Sequence, residues 1–161
     1  MNTAAILTIS DSAHEGKRED LSGPAIVAEL KAAGFQIAST AVVPDEQDQI
    51  EEALKVCCLA VPLVVTVGGT GIAARDVTPE ATLAVVDRTV PGIAERMRVL
   101  GALQTPLAAL SRGVCGVRGQ ALILNQPGSP KAAVESLQAI IEVLPHALEL
   151  LRGNTAHGEG K

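Results

Sequence analysis

Short apolar runs and longer stretches with helical spacing follow one another along the whole chain. Residues 4–9 form a first apolar run, read as a strand. The signal Ser22-Gly23-Pro24 then precedes apolar Ile26, Val27 and Leu30 at helical spacing, and Gly34 closes that helix. Residues 35–43 predict a second strand. Pro44-Asp45 opens a helix running to about Cys58, with Ile50, Ala53, Leu54 and Cys57 along one face. Residues 63–67 are apolar apart from Thr66, as in a strand covered on both sides, and the run stops at Gly68-Gly69-Thr70-Gly71.

The second half repeats the alternation. Thr78-Pro79-Glu80 predicts a helix start with Thr78 as cap, and Pro91-Gly92 predicts another that continues through residues 93–103. After Pro106 the pattern fits helix or strand; we read a strand over 109–114. Residues 121–124 predict a further buried strand, broken by Asn125-Gln126-Pro127-Gly128. Ser129-Pro130 caps a helix through about Leu144, and Pro145 restarts it to about Leu151. Strands alternating with helices predict an α/β fold of three layers, α/β/α, with a mostly parallel central sheet. No repeat or linker divides the chain, so residues 1–152 read as one domain and 153–161 as a fraying polar tail.

Composition narrows the possible partners. Of 161 residues, 47% are hydrophobic and Phe35 is the only aromatic. Pro62 interrupts the apolar stretch 59–67, which is far shorter than the ~20 residues of a membrane span. The first residues lack a basic, signal-like segment, so a cytoplasmic location is expected. A net charge of −5 and the absence of Trp and Tyr argue against nucleic acid, which needs basic surface and stacking rings. Cys57, Cys58 and Cys115 form no Cys-x-x-Cys pair and read as reduced thiols.

In an open α/β sheet, ligands bind beyond the carboxyl ends of the strands, where this chain carries its unusual polar clusters. These are Ser10-Asp11-Ser12, Pro44-Asp45, residues 68–76 and residues 125–131. The loop Gly68-Gly69-Thr70-Gly71 is either a tight turn or an anion cradle of backbone amides, and Arg75, Asp76 and Thr78 close behind it favour a site. Residues 69–74 also match a dinucleotide-binding pattern, which would imply a nicotinamide-dependent oxidoreductase. However, the helix restart at Thr78-Pro79 conflicts with the long helix that pattern requires, and no Gly-Lys-Ser/Thr follows for a phosphate-loop NTPase. Asp45 reads as a helix cap, Asp76 as a partner for Arg75, or both as carboxylates suited to Mg²⁺. Ser129 and Lys131 open a helix, where the dipole favours an anion. His14, His146 and His157 have no apparent partners and are assigned no catalytic role.

Taken together, Ser10-Asp11-Ser12, Asp20-Leu21-Ser22-Gly23-Pro24, Pro44-Asp45, the glycine loop, Arg75-Asp76-Val77-Thr78-Pro79-Glu80-Ala81-Thr82, Leu110-Ser111-Arg112-Gly113 and Pro127-Gly128-Ser129-Pro130-Lys131 resemble the molybdopterin-binding domain family. The likeness runs from about residue 4 to 152 and is most specific at residues 68–82. In length it resembles the stand-alone adenylyltransferases of that family. This implies ATP-dependent adenylylation of the terminal phosphate of molybdopterin, with loss of pyrophosphate. It also implies a homotrimer and hand-over of product to a molybdenum-insertion enzyme; a non-catalytic pterin carrier is the alternative.

By position, the resemblance assigns Mg²⁺ and catalysis to Asp45 and Asp76, and a phosphate cradle to Gly68, Gly69, Thr70 and Gly71. It assigns substrate or nucleotide contacts to Ser10, Asp11, Ser12, Arg75, Ser111, Pro127, Gly128, Ser129 and Lys131, with Arg75 and Lys131 offsetting anionic charge. Gln126 departs from the family, which commonly has Leu there, and bears on the pterin contacts. With one aromatic residue in the chain, ligand rings must be held by aliphatic walls and hydrogen bonds, with little stacking.

Overall fold

A computed structural model describes residues 2–154. Its elements in chain order are β1 (Thr3–Ile9), α1 (Asp11–His14), α2 (Ser22–Ala32), β2 (Gln36–Val43), α3 (Gln47–Ala60) and β3 (Leu63–Val67). They continue with α4 (Thr78–Val85), β4 (Arg88–Thr89), α5 (Pro91–Ala102), a 3-10 turn (Pro106–Leu110), β5 (Cys115–Arg118) and β6 (Ala121–Gln126). The chain closes with α6 (Pro130–Gln138), a second 3-10 turn (Ile141–Val143) and α7 (Leu144–Leu151). His157 and most of the expected tail lie outside the described residues.

The six strands form one sheet in the order β2-β1-β3-β6-β5-β4. The pairs β1–β2, β1–β3 and β3–β6 are parallel, while β5–β6 and β4–β5 are antiparallel. Strands β1, β3 and β6 are buried along nearly their whole length, so their alternate residues feed two separate cores. Ile6, Val65 and Leu124 face α2, α5, α6 and α7 through Ile26, Leu30, Met97, Leu137 and Leu148. Leu7, Val64 and Ile123 face α3 and α4 through Ile50, Leu54, Ala81 and Val85. Helices thus cover both faces, as three layers require. Phe35 is buried in the first core, just before β2.

From β1 the chain moves to β2 on one side, then returns across β1 to β3 on the other. Loops after β1 and β3 therefore diverge at a switch point, which leaves a crevice at the carboxyl end of the sheet. Because β5 runs antiparallel to β6, the segment entering β5 arrives at this same end. Asn125 fixes that entry: its Oδ1 accepts from the Val114 amide at 3.1 Å, and its Nδ2 donates to Thr66 Oγ1 at 3.0 Å and Thr82 Oγ1 at 2.9 Å.

Three sequence expectations are corrected. Residues 109–114 are not a strand: the 3-10 turn ends at Leu110, and the strand begins at Cys115. Leu107 and Leu110 are 69% and 49% exposed, so their apolarity serves no sheet core. The helix expected through Leu144 breaks after Gln138, where Ile140 and Leu144 turn into the core. Thr78 does not cap α4; Val77 holds the cap position, and the buried Thr78 hydroxyl donates to the Gly68 carbonyl at 2.9 Å.

Candidate functional site

Strand ends β1, β3 and β6 stand level in register, so the loops at residues 10–12, 68–71 and 127–129 emerge side by side. The chain leaves β3 through Gly68 and Gly69, both in the left-handed region at φ +104° and +64°. A Cβ on Gly68 would collide with the Ile9 carbonyl oxygen, and one on Gly69 with Thr78 Oγ1. Glycine is therefore required twice, by backbone conformation and by the close approach of neighbouring loops. The Gly68 amide donates to the Gln126 carbonyl at 3.0 Å and is not free for an anion. Among the described residues, the amides of Gly69, Thr70 and Gly71 donate to no protein acceptor.

Two cavities flank this loop, and Gly69, Asp76, Gly128 and Ser129 line both. The larger, about 400 Å³, lies between α5, the first 3-10 turn and α6; Met97, Leu107 and Leu110 contribute aliphatic walls, and Thr70, Ser111 and Pro127 also line it. The smaller, about 340 Å³, opens towards β1 and β2 and is lined by Ser10, Asp20, Ser22, Asp45 and Gly68 among others. Both are within the size range of small-molecule sites.

Asp45 is held by its neighbour. Its Oδ2 accepts from the Asp11 amide at 2.8 Å, while its own amide donates to Asp11 Oδ1 at 2.9 Å. It caps no helix, since Glu46 precedes α3 without a side-chain cap. Burial pushes the Asp45 carboxyl above its ordinary pKa, and the negative charges of Asp11 and Asp76 add to the rise. Asp11 moves the other way, lowered chiefly by its hydrogen bond from Arg75. Arg75 Nε reaches Asp11 Oδ2 at 2.6 Å and Nη2 reaches Glu46 Oε1 at 2.8 Å, so its partner is not Asp76. Instead, Asp76 Oδ2 accepts from the Ala73 amide at 2.9 Å.

The remaining expected residues divide. Ser10 caps α1 and its hydroxyl lies 3.2 Å from that of Ser12. Ser129 caps α6, accepting from the Ala132 amide at 3.2 Å. Asp11, Ser12, Arg75 and Lys131 line neither cavity. The Lys131 side chain is 84% exposed, with Glu135 Oε1 at 3.8 Å as its ion partner. Gln126 is fully buried; its Nε2 contacts Met97 Sδ at 3.5 Å, and its Oε1 has no partner among the described residues. It reaches the larger cavity only through Met97, which lines it.

Arg112 carries a role that sequence spacing did not reveal. Its Nε donates to the Gly71 carbonyl at 2.7 Å, Nη2 to the Asp76 carbonyl at 2.6 Å and Nη1 to Glu80, while its amide donates to the Thr70 carbonyl at 2.8 Å. The amide and side chain of this one residue thereby fix the loop from Thr70 to Asp76 against α4. Asp20, which accepts from Thr8 Oγ1 at 2.6 Å and the Gly23 amide at 2.9 Å, was also missed as a cavity residue. Both stand within family-like motifs of the sequence, which was the available signal. Arg98 and Glu135 line the larger cavity and carry no motif at all. The cysteines are not reactive thiolates: burial pushes Cys58 up to about 11 and Cys115 up to about 12. Among the described residues, no group of three or more His, Cys, Asp or Glu side chains could hold a metal, and no helix is long and apolar enough to cross a membrane. The helix after the glycine loop begins only at Thr78, which rules out the uninterrupted dinucleotide-binding helix.

Residues 5–146 match the family described as probable molybdopterin binding domain. A Helicobacter pylori (strain J99) protein named molybdopterin adenylyltransferase is 42% identical over 153 residues, covering 92% of this chain and 87% of that protein. An Escherichia coli (strain K12) protein of the same name is 42% identical over 172 residues, covering 95% and 88%. The crystal structure of the molybdopterin biosynthesis enzyme MoaB from Thermus thermophilus superposes with a TM-score of 0.90 at 51% identity, covering 95% of this chain and 98% of that one.

Proposed function

The chain belongs to the molybdopterin-binding domain family, and on that premise we propose that it is an enzyme of molybdenum cofactor biosynthesis that transfers AMP from ATP to molybdopterin. The observation that carries this reading is the shared ridge of Gly69, Asp76, Gly128 and Ser129 between two cavities. Two ligands bound one on each side bring their phosphates together at that ridge. A terminal phosphate oxygen of molybdopterin attacks the α-phosphorus of ATP, the bond to the bridging oxygen breaks, and pyrophosphate leaves. Such transfers depend on alignment and charge stabilisation, so no protein nucleophile is needed.

The amides of Gly69, Thr70 and Gly71 are donors for phosphate oxygens, and Ser10, Ser111 and Ser129 add short hydroxyl contacts. Asp45 and Asp76 fit Mg²⁺: Asp45 is desolvated and repelled by two neighbouring carboxylates, a charge excess that a divalent cation relieves. When bound there with the nucleotide phosphates, the cation supplies charge neutralisation. Asp11 and Arg75 act indirectly, holding the loop that carries Asp45. Residues 1–152 form the working domain, assembled as a homotrimer in the cytoplasm, and the adenylylated product passes to a molybdenum-insertion enzyme.

Incubating the protein with molybdopterin, Mg²⁺ and α-labelled ATP tests the reading. Labelled adenylyl-molybdopterin with stoichiometric pyrophosphate supports it. Pterin binding without either product identifies a carrier instead.

A further inference from the structure

The larger cavity holds a carboxylate with no hydrogen-bond partner among the described side chains. Glu135 lines it from α6, alongside Ala132 and Ser136 on the same helical face. Its side chain is 28% exposed, and its nearest ion partner is the solvated Lys131 at 3.8 Å. On α5, which lines the same cavity, Arg98 donates Nη1 to the Gly113 carbonyl at 2.8 Å and has other N–H groups uncommitted among the described residues. Arg98 and Glu135 form no ion pair with each other. Aliphatic side chains and a few hydroxyls make up the rest of the wall. Apart from Asp76 on the ridge shared with the smaller cavity, Glu135 and Arg98 are the charged side chains among the described lining residues, so a ring held away from the ridge meets one strong acceptor pair and one strong donor.

We propose that Glu135 is the specificity-determining residue of the larger cavity, reading the 2-amino-4-oxopyrimidine edge of a pterin while Arg98 donates to its 4-oxo group. This rests on the adenylyltransferase reading above and assigns its two substrates to separate cavities. The chemistry is directional. A 2-amino group and the adjacent N3–H present two parallel donors to one carboxylate, the geometry of a bidentate pair. Adenine presents its 6-amino donor beside the N1 lone pair, which the second carboxylate oxygen repels. Glu135 therefore accepts a pterin and rejects adenine, leaving ATP the cavity lined by Ser10, Gly68 and Asp45. Unpaired buried polar groups penalise the wrong ring more heavily than lost apolar contact does. In a chain without Trp or Tyr, this edge contact is the principal source of ring selectivity.

The experiment measures binding of 6-hydroxymethylpterin phosphate by quenching of its fluorescence, in the wild type and in Glu135→Gln. Parallel titrations use ATP and a 6-hydroxymethyl-lumazine phosphate, in which a 2-oxo group replaces the 2-amino group. The expected result is at least a tenfold loss of pterin affinity in Glu135→Gln, with ATP affinity within twofold of wild type. The wild type should also prefer pterin over lumazine at least tenfold, and the variant should lose that preference. Equal pterin affinity in the two proteins overturns the assignment, as does a parallel loss of ATP affinity. If the wild type forms adenylyl-molybdopterin while Glu135→Gln binds pterin normally, only the role of Glu135 falls. If the wild type binds no pterin phosphate, the adenylyltransferase reading falls with it. A thermal melt of Glu135→Gln matching wild type shows that the variant is folded.

Discussion

Asp11 and Asp45 each donate a backbone amide to the other's carboxylate, at 2.8 and 2.9 Å. This reciprocal clasp joins the loops after two adjacent parallel strands and leaves Asp45 half-buried at the cavity while Arg75 neutralises Asp11. The two carboxyls are thereby driven apart in acidity by their surroundings, one up and one down. Asp11→Ala keeps the amide that reaches Asp45 Oδ2 but removes the carboxylate half of the clasp and both Asp11 contacts of Arg75. Turnover should fall about tenfold through misplacement of Asp45, read as kcat in the adenylylation assay, with folding retained by circular dichroism.

The Asp45 carboxyl lies above its ordinary value of 3.8, so the acid limb of kcat/KM should fall above that value and flatten in Asp45→Asn. Stability moves with opposite signs. Ionised Asp45 is disfavoured in the folded protein, so its contribution becomes less favourable as pH rises through its folded pKa. Asp11 and Glu80 are lowered, and their stabilisation is present above 3.8 and 4.5 and lost as pH falls below those values. Thermal melts of Asp45→Asn against wild type between pH 4 and 7 should show the variant gaining relative stability as pH rises.

Asp76→Asn should lower kcat about 10²–10³-fold, in the range for losing one group that organises developing charge. Pterin phosphate binding should stay within about threefold. A parental rate in that variant would remove Asp76 from the catalytic assignment.

Replacing Arg112 with Lys keeps the charge but not the fork that spans the Gly71 and Asp76 carbonyls. An expected drop of about tenfold in kcat should accompany a melting temperature lower by only a few degrees, because the group is partly solvent-exposed and exposed pairs contribute little. Equal kcat would reduce Arg112 to a surface contact.

Gln126→Leu deletes a buried oxygen that has no partner among the described residues. An unsatisfied buried acceptor costs about 1–3 kcal/mol, so the variant should melt several degrees higher by calorimetry. No gain would mean that an ordered water satisfies Oε1.

Much of the parallel half of the fold was legible because β1, β3 and β6 are apolar on both sides and end at glycine, proline or polar clusters. The antiparallel edge was not. Cys115-Gly116-Val117-Arg118 is four residues long, with Gly116 packed against Val86, and too short to register as a periodic run. The strand was read instead over 109–114, whose first residues belong to an apolar 3-10 turn that lines a cavity. At the site, Asp45 was legible as a candidate and its clasp with Asp11 was not, since the two lie 34 positions apart. Arg112 was hidden for the same reason, its side-chain partners lying 32 to 41 positions upstream.

The reversal of β5 also ties the wall of the crevice to its floor. The four parallel strands and their glycine-bearing loops form a scaffold whose parts constrain one another through backbone contacts. Residues 91–114 leave the sheet after β4 and return to it at β5, hanging α5 and the 3-10 turn over the crevice as a wall. Arg98 stands on that wall and Glu135 faces it from α6, but Arg112, at its returning end, grips the Gly71 and Asp76 carbonyls. A shift of the wall is therefore felt by the phosphate-handling loop as well as by the ring, so selectivity and transfer chemistry are mechanically joined.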